Sequence, residues 1–263
     1  MTPARTGLVA AVLAAVLTAG VLLATRHVPA RARPSSPAVA GLPGPGRLGL
    51  HVPAPRVLGP ERERSTWGAL RTAAVARAAP DATAARVAAL DARTPEGTTN
   101  LVLVLGRARD RRGMTWVRAR LPVLGRAVGW LPSTALAAYG TVGTRLVVDR
   151  RRLRLTLLRD GRPIMRAPIG IGAAGTPTPA GSFYVRDRVT TYASPVYGPV
   201  AFGTSARSRT LTDWPGGGFV GIHGTDQPGL LPGRVSHGCI RLRNADVLRL
   251  ARLMPVGTPL RIV

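Results

Sequence analysis

A single cysteine, Cys239, stands in the run Val235-Ser-His-Gly-Cys-Ile-Arg241, and a second histidine lies upstream in Ile222-His-Gly-Thr225. A thiol becomes a nucleophile as thiolate, so it needs an imidazole within reach to take its proton. Acyl chemistry at sulfur also needs N–H donors aimed at a developing oxyanion, and little side-chain bulk where a substrate backbone passes. His223 and His237 are both candidate bases. Gly238 permits an unusual backbone angle and close approach, and consecutive N–H groups around Cys239 can converge on one point. The Ser236 hydroxyl is either a donor near that point or, more ordinarily, a turn hydrogen bond. Two other readings stand beside the nucleophile. An inert buried thiol belongs in an apolar run, whereas this one has His237 and Gly238 before it and Arg241 after it. A zinc site from His223, His237 and Cys239 would have the three ligands a catalytic metal needs, but the closely paired ligands usual for zinc are missing and Asp226 is the only nearby acid.

The elements that must position these residues read as mainly β. From Arg145 onward the runs Arg145–Val148, Leu153–Leu158 and Ile164–Ile171 alternate or are apolar, with Asp160-Gly161 as a two-residue hairpin turn and Ser182–Val185 as a later strand. One helix is expected over Asn244–Leu253, with Asn244 as N-cap, Pro255 as stop, and Leu248, Leu250 and Leu253 available for packing. Earlier, Leu101–Leu105, Thr115–Leu121 and Ala127–Leu131 are short strands around a charged turn at Arg109–Gly113. Their alternation places Trp116, Arg118 and Arg120 on one side. Tyr192, Tyr197 and Trp214 fall where a substrate lid would lie, as packing or as contact.

The chain of 263 residues carries a formal charge of +25, and all 37 basic side chains are arginine. The arginines are spread along the whole sequence, which points to coding bias more than to one polyanion-binding surface, with an anionic wall or membrane as the other reading. Aromatics, at 4%, are too few for a base-stacking surface, so nucleic acid is not expected as a partner. Thr6–Thr25 is uncharged, mostly apolar and long enough to span a bilayer, so residues 1–27 are expected to be a signal anchor or signal peptide, with the anchor favoured. Export follows, to an extracytoplasmic place in the cell envelope, membrane-anchored or secreted. A lone cysteine there cannot form an internal disulfide. Residues 28–62, rich in Pro, Gly, Ala and Ser, read as a linker.

Three segments together resemble a known family. Ser236-His-Gly-Cys-Ile-Arg-Leu-Arg-Asn-Ala-Asp246, the upstream His223-Gly-Thr225, and Gly175-Thr-Pro-Thr-Pro-Ala-Gly181 look like the L,D-transpeptidase catalytic domain of the YkuD type, over residues 143–263. Residues 63–142, with Trp116-Val and Gly129-Trp-Leu-Pro132, resemble a small bacterial Src-homology-3-like β-barrel, in which Trp116 and Trp130 are core or line a ligand groove. The resemblance implies a β-sandwich-like catalytic domain with little helix. It would bind the tetrapeptide stems of peptidoglycan as donor and acceptor, with no cofactor and no metal. Cys239 would carry the acyl group as a thioester and His223 would be the base, with His237 beside the site. An amine from a neighbouring stem would resolve the thioester into a direct link between diamino-acid residues, and carbapenems would acylate the same cysteine. Resolution by water would make the enzyme an L,D-carboxypeptidase, and a catalytically silent wall-binding protein is the reading from another class. Arg241 would hold the loop or the substrate carboxylate, or simply bond loop carbonyls. Gly224 replaces a serine found in some relatives, so at that position only a backbone carbonyl is left to orient the imidazole; Thr225 completes the motif.

Overall fold

The computed structural model describes residues 64–124, 128–190, 194–210 and 217–263. The apolar segment and linker read over residues 1–62, and the lid candidates Tyr192 and Trp214, lie outside them. Among the described residues no helix is long and apolar enough to cross a membrane.

The described residues are strand-rich. The first sheet is antiparallel and contains β1 (Ser65–Leu70), β2 (Ala74–Arg77), β3 (Arg86–Leu90), β4 (Leu101–Arg109), β5 (Thr115–Arg120), β6 (Val128–Pro132) and β7 (Leu136–Val142), in the order β3-β2-β6-β5-β4-β1-β7. Alternation sets its two faces: Val117, Ala119 and Leu121 point into a core with Val102, Val104 and Leu131, while Arg118 is exposed opposite them. Trp116 is buried on that opposite face, where its indole N–H donates to Asp110 Oδ2 at 3.0 Å.

The second sheet holds β8 (Thr144–Asp149), β9 (Arg154–Arg159), β10 (Arg162–Pro168), β11 (Gly170–Gly172), β12 (Gly181–Val189), β13 (Ala201–Arg207), β14 (Phe219–His223), β15 (Gly233–Ser236), β16 (Ile240–Arg241) and β17 (Pro259–Ile262). Its order is β10-β9-β8-β17-β12-β13-β14-β16-β11-β15. The β9–β10 turn has Asp160 and Gly161 at φ 49 and 77, the left-handed pair that a tight two-residue hairpin demands. Strand β12 serves two neighbours: its first half, Gly181–Tyr184, pairs with β17, and from Val185 it pairs with β13, with a bulge between Val185 and Asp187. The sheet therefore turns along β12 and its two halves pack as a β-sandwich. Leu146, Val148, Leu155 and Leu157 of one half share a single core with Phe202, Val220, Ile222 and Ile240 of the other.

The one α-helix among the described residues, α1 (Asn244–Leu253), covers the expected stretch. Its packing differs in two details. Val247 and Leu250 are the buried residues, whereas Leu248 faces solvent. Arg243, not Asn244, is the N-cap residue, and no side chain caps the helix.

Candidate active site

The strand β14 is central to the site: all five of its residues, Phe219–His223, are buried, and it lies between β13 and the short β16. The parallel pairing of β14 with β16 sets Ile222 beside Ile240 and His223 beside Arg241. Both isoleucines point into the core, so His223 and Arg241 share the opposite face. Cys239 immediately precedes β16 and is 7% exposed; its Sγ accepts a hydrogen bond from the Gly221 N–H at 3.3 Å.

His223 is held from several sides. Its Nδ1 lies 2.6 Å from the carbonyl oxygen of Gly224. A carbonyl can only accept, so Nδ1 carries a proton; in the neutral ring the lone pair is then on Nε2, the state a general base requires. The ring of Tyr197 meets the imidazole edge-on, with centroids 4.9 Å apart. Asn244 sits behind this corner, its Oδ1 accepting the Thr225 N–H at 3.0 Å. The approach is so close that a Cβ at Gly224 would run into Asn244 Oδ1 and Gly198. A serine at position 224 does not fit this chain, and the backbone carbonyl supplies the contact to Nδ1.

The turn before Cys239 is closed by its own hydroxyl. Ser236 Oγ donates to the Cys239 carbonyl at 2.6 Å and accepts the Gly238 N–H at 3.1 Å. Gly238 has φ 128, a conformation open to glycine. The Thr-Pro-Thr-Pro loop braces the same turn from 60 residues upstream. Thr178, 1% exposed, accepts the Gly172 N–H at 2.9 Å and donates to the Gly238 carbonyl at 2.8 Å; Thr176 Oγ1 donates to the Ser236 carbonyl at 3.2 Å.

A thiol receiving an N–H, a buried imidazole protonated on Nδ1, and a tight glycine turn are the parts that acyl transfer through sulfur requires. Comparison with known proteins gives the family. The sequence model of the L,D-transpeptidase catalytic domain, YkuD, matches residues 143–262. The Bacillus subtilis (strain 168) protein named as L,D-transpeptidase YkuD is 34% identical over 122 residues, which are 46% of this chain and 67% of that protein. The chain belongs to the YkuD-type L,D-transpeptidase family. The Salmonella typhimurium protein ErfK/SrfK, also named for this activity, is 33% identical over 47% of this chain and 45% of its own length. A crystal structure of a mutant Enterococcus faecium L,D-transpeptidase is 27% identical over 46% of this chain and 49% of that one, with a TM-score of 0.36.

Within this L,D-transpeptidase domain, the residues singled out from sequence do not all converge. Cys239, His223, Gly224, Thr225, Ser236 and Gly238 are buried around one corner. His237 is exposed, turned outward between the buried Ser236 and Gly238. Arg241 flanks His223 by register, and its buried Nε has no hydrogen-bond partner among the described residues. Among the described residues no group of three His, Cys, Asp or Glu side chains is placed to hold a metal ion. Sequence reasoning gave no role to Thr178, Asn244 or Gly221. Thr178 lay in a motif already singled out; Asn244 was read as a helix cap; Gly221 acts through its backbone, which no side-chain pattern reveals.

Proposed function

We propose that the chain is a peptidoglycan L,D-transpeptidase working through a Cys239 acyl-enzyme. The observation that carries this reading is that the Cys239 sulfur accepts the N–H of Gly221, two residues before the buried His223 on the same strand, whose Nδ1 is tied to Gly224 O. In the first half-reaction His223 Nε2 takes the Sγ proton and the thiolate attacks the carbonyl preceding the terminal D-alanine of a tetrapeptide stem. The carbonyl π pair moves onto oxygen, where the Cys239 N–H receives it. Collapse breaks the C–N bond, His223 returns its proton to the departing D-alanine amine, and a thioester remains. In the second half-reaction Nε2 deprotonates the side-chain amine of an acceptor stem, the amine attacks the thioester, and Cys239 leaves as thiolate. Arg241, with a buried Nε that no group among the described residues satisfies, suits the carboxylate of the donor's terminal residue.

The remaining parts of the reading concern placement. The sheet over 64–142 is proposed to be the Src-homology-3-like module, and the apolar run Thr6–Thr25 a signal anchor that holds the enzyme at the outer membrane face, near the wall. The excess of arginine is compatible with anionic surroundings there.

Mass spectrometry of the ectodomain incubated with a disaccharide tetrapeptide tests the chemistry. The expected products are a Cys239 thioester, free D-alanine and a cross-linked dimer of stems, all lost in Cys239→Ala. D-alanine release without dimer makes the enzyme an L,D-carboxypeptidase, and the absence of any adduct or release sinks the catalytic reading in favour of a wall-binding role.

A further inference from the structure

The Thr178 hydroxyl is almost completely buried and both its hydrogen bonds go to backbone groups, the Gly172 N–H and the Gly238 carbonyl. The Gly238 carbonyl and the Cys239 N–H belong to one planar trans peptide, so they point in opposite directions. Whatever grips that carbonyl fixes the direction of the nucleophile's own amide. Gly238, at φ 128, lacks the side-chain restraint that would otherwise hold this peptide plane. Ser236 fixes the next peptide through the Cys239 carbonyl, so the two hydroxyls set successive planes on either side of the cysteine Cα.

Resting on the acyl-transfer reading, we propose that Thr178 is a positioning residue. It aims the Cys239 N–H at the oxyanion formed during thioester formation, and it does so without touching substrate. The Thr-Pro-Thr-Pro loop is suited to this. Gly172, the other partner of Thr178, ends β11, and a side chain at Gly172 would collide with the loop backbone at Thr176, so loop and strand are pressed together. The prolines at 177 and 179 restrict the backbone on both sides of the hydroxyl.

The role separates from simple structural support by comparing two reactions of Cys239. Acylation by a disaccharide tetrapeptide develops an oxyanion; alkylation by iodoacetamide, a displacement at saturated carbon, does not. In Thr178→Val, which is nearly isosteric, acylation is expected to fall about 10- to 100-fold, the scale of a misaimed donor. Alkylation and its pH dependence stay within twofold of wild type, and Thr178→Ser, which keeps the hydroxyl, recovers most of the acylation rate. Thr178→Ala, whose smaller side chain admits water to the two orphaned groups, is the second variant if Thr178→Val does not fold, and it must show the same split. Acylation unchanged in the folded variant, or acylation and alkylation falling together, overturns the proposal. A wild-type chain that alkylates but never acylates sinks the transpeptidase reading itself, a result distinct from the failure of the positioning role alone.

Discussion

At the scale of single residues, the site depends on how backbone groups define two side chains. The Gly221 N–H donates to the Cys239 sulfur, and the Gly224 carbonyl accepts from His223 Nδ1. Neither of these two contacts needs a polar side chain, because strand backbone and one glycine supply them. The thiolate, not the thiol, is the nucleophile, so an imidazole that takes the thiol proton raises its reactivity. Alkylation of Cys239 by iodoacetamide at neutral pH is therefore expected to be about tenfold or more slower in His223→Ala than in wild type. Equal rates for the two proteins would remove His223 as the partner of the thiol.

At the scale of elements, α1 supports the site through its first residue. Asn244 has the type of an N-cap, yet it is already inside the helix and spends its Oδ1 on the Thr225 N–H, just beyond the end of β14. A capping role and a bracing role predict different variants. Serine caps helices as well as asparagine, so Asn244→Ser would be nearly neutral if capping were the function. Bracing requires the longer side chain. Asn244→Ser and Asn244→Ala are both expected to cost about 1 to 3 kcal/mol, the penalty of leaving a buried N–H unsatisfied, and to lower turnover by loosening the His223 corner. Chemical denaturation and steady-state rates of the two variants decide between the roles.

At the scale of the whole described chain, the two sheets are joined by buried polar contacts as well as by apolar ones. Trp67 and Val256 pack on the small cluster of Ala69, Leu101 and Ala138, and the Tyr184 hydroxyl donates to the Leu101 carbonyl at 2.7 Å. Beside them Arg186 of β12, 1% exposed, binds both Glu96 oxygens at 2.9 and 3.1 Å and stands 3.4 Å from Asp187 Oδ2. Burial pushes the Asp187 carboxyl up to about 6; the Arg186 guanidinium opposes this, the Glu96 charge adds to it, and the Gly203 N–H on Oδ1 opposes it. The value is raised above the 3.8 of a solvated aspartate, so the folded chain holds a proton that the unfolded chain releases. The stability this proton contributes is full below about pH 4 and is lost as pH rises through about 6. Asp187→Asn is expected to remove that part of the slope, so thermal midpoints measured from pH 4 to 7 should fall with pH less in the variant than in wild type. Parallel curves would show that Asp187 does not titrate in this range.

The sequence alone was enough for the strand-rich class, the helix span Asn244–Leu253, the Asp160-Gly161 turn and the short list containing Cys239 and two histidines. Each rests on local rules: alternation, apolar periodicity, left-handed φ at a hairpin, and the rarity of cysteine beside histidine and glycine. Tertiary structure decided what depends on contacts between distant segments. Parallel pairing of β14 with β16 selects His223, not His237, as the buried imidazole by placing it in register with Arg241, 18 residues away, while the turn leaves His237 in solvent. The bond from Thr178 to Gly238 spans 60 residues, and Asn244 trades a helix cap for a strand-end amide 19 residues upstream. Such bonds are invisible to a local pattern because their partners are backbone groups, which every residue carries and which only folding brings together.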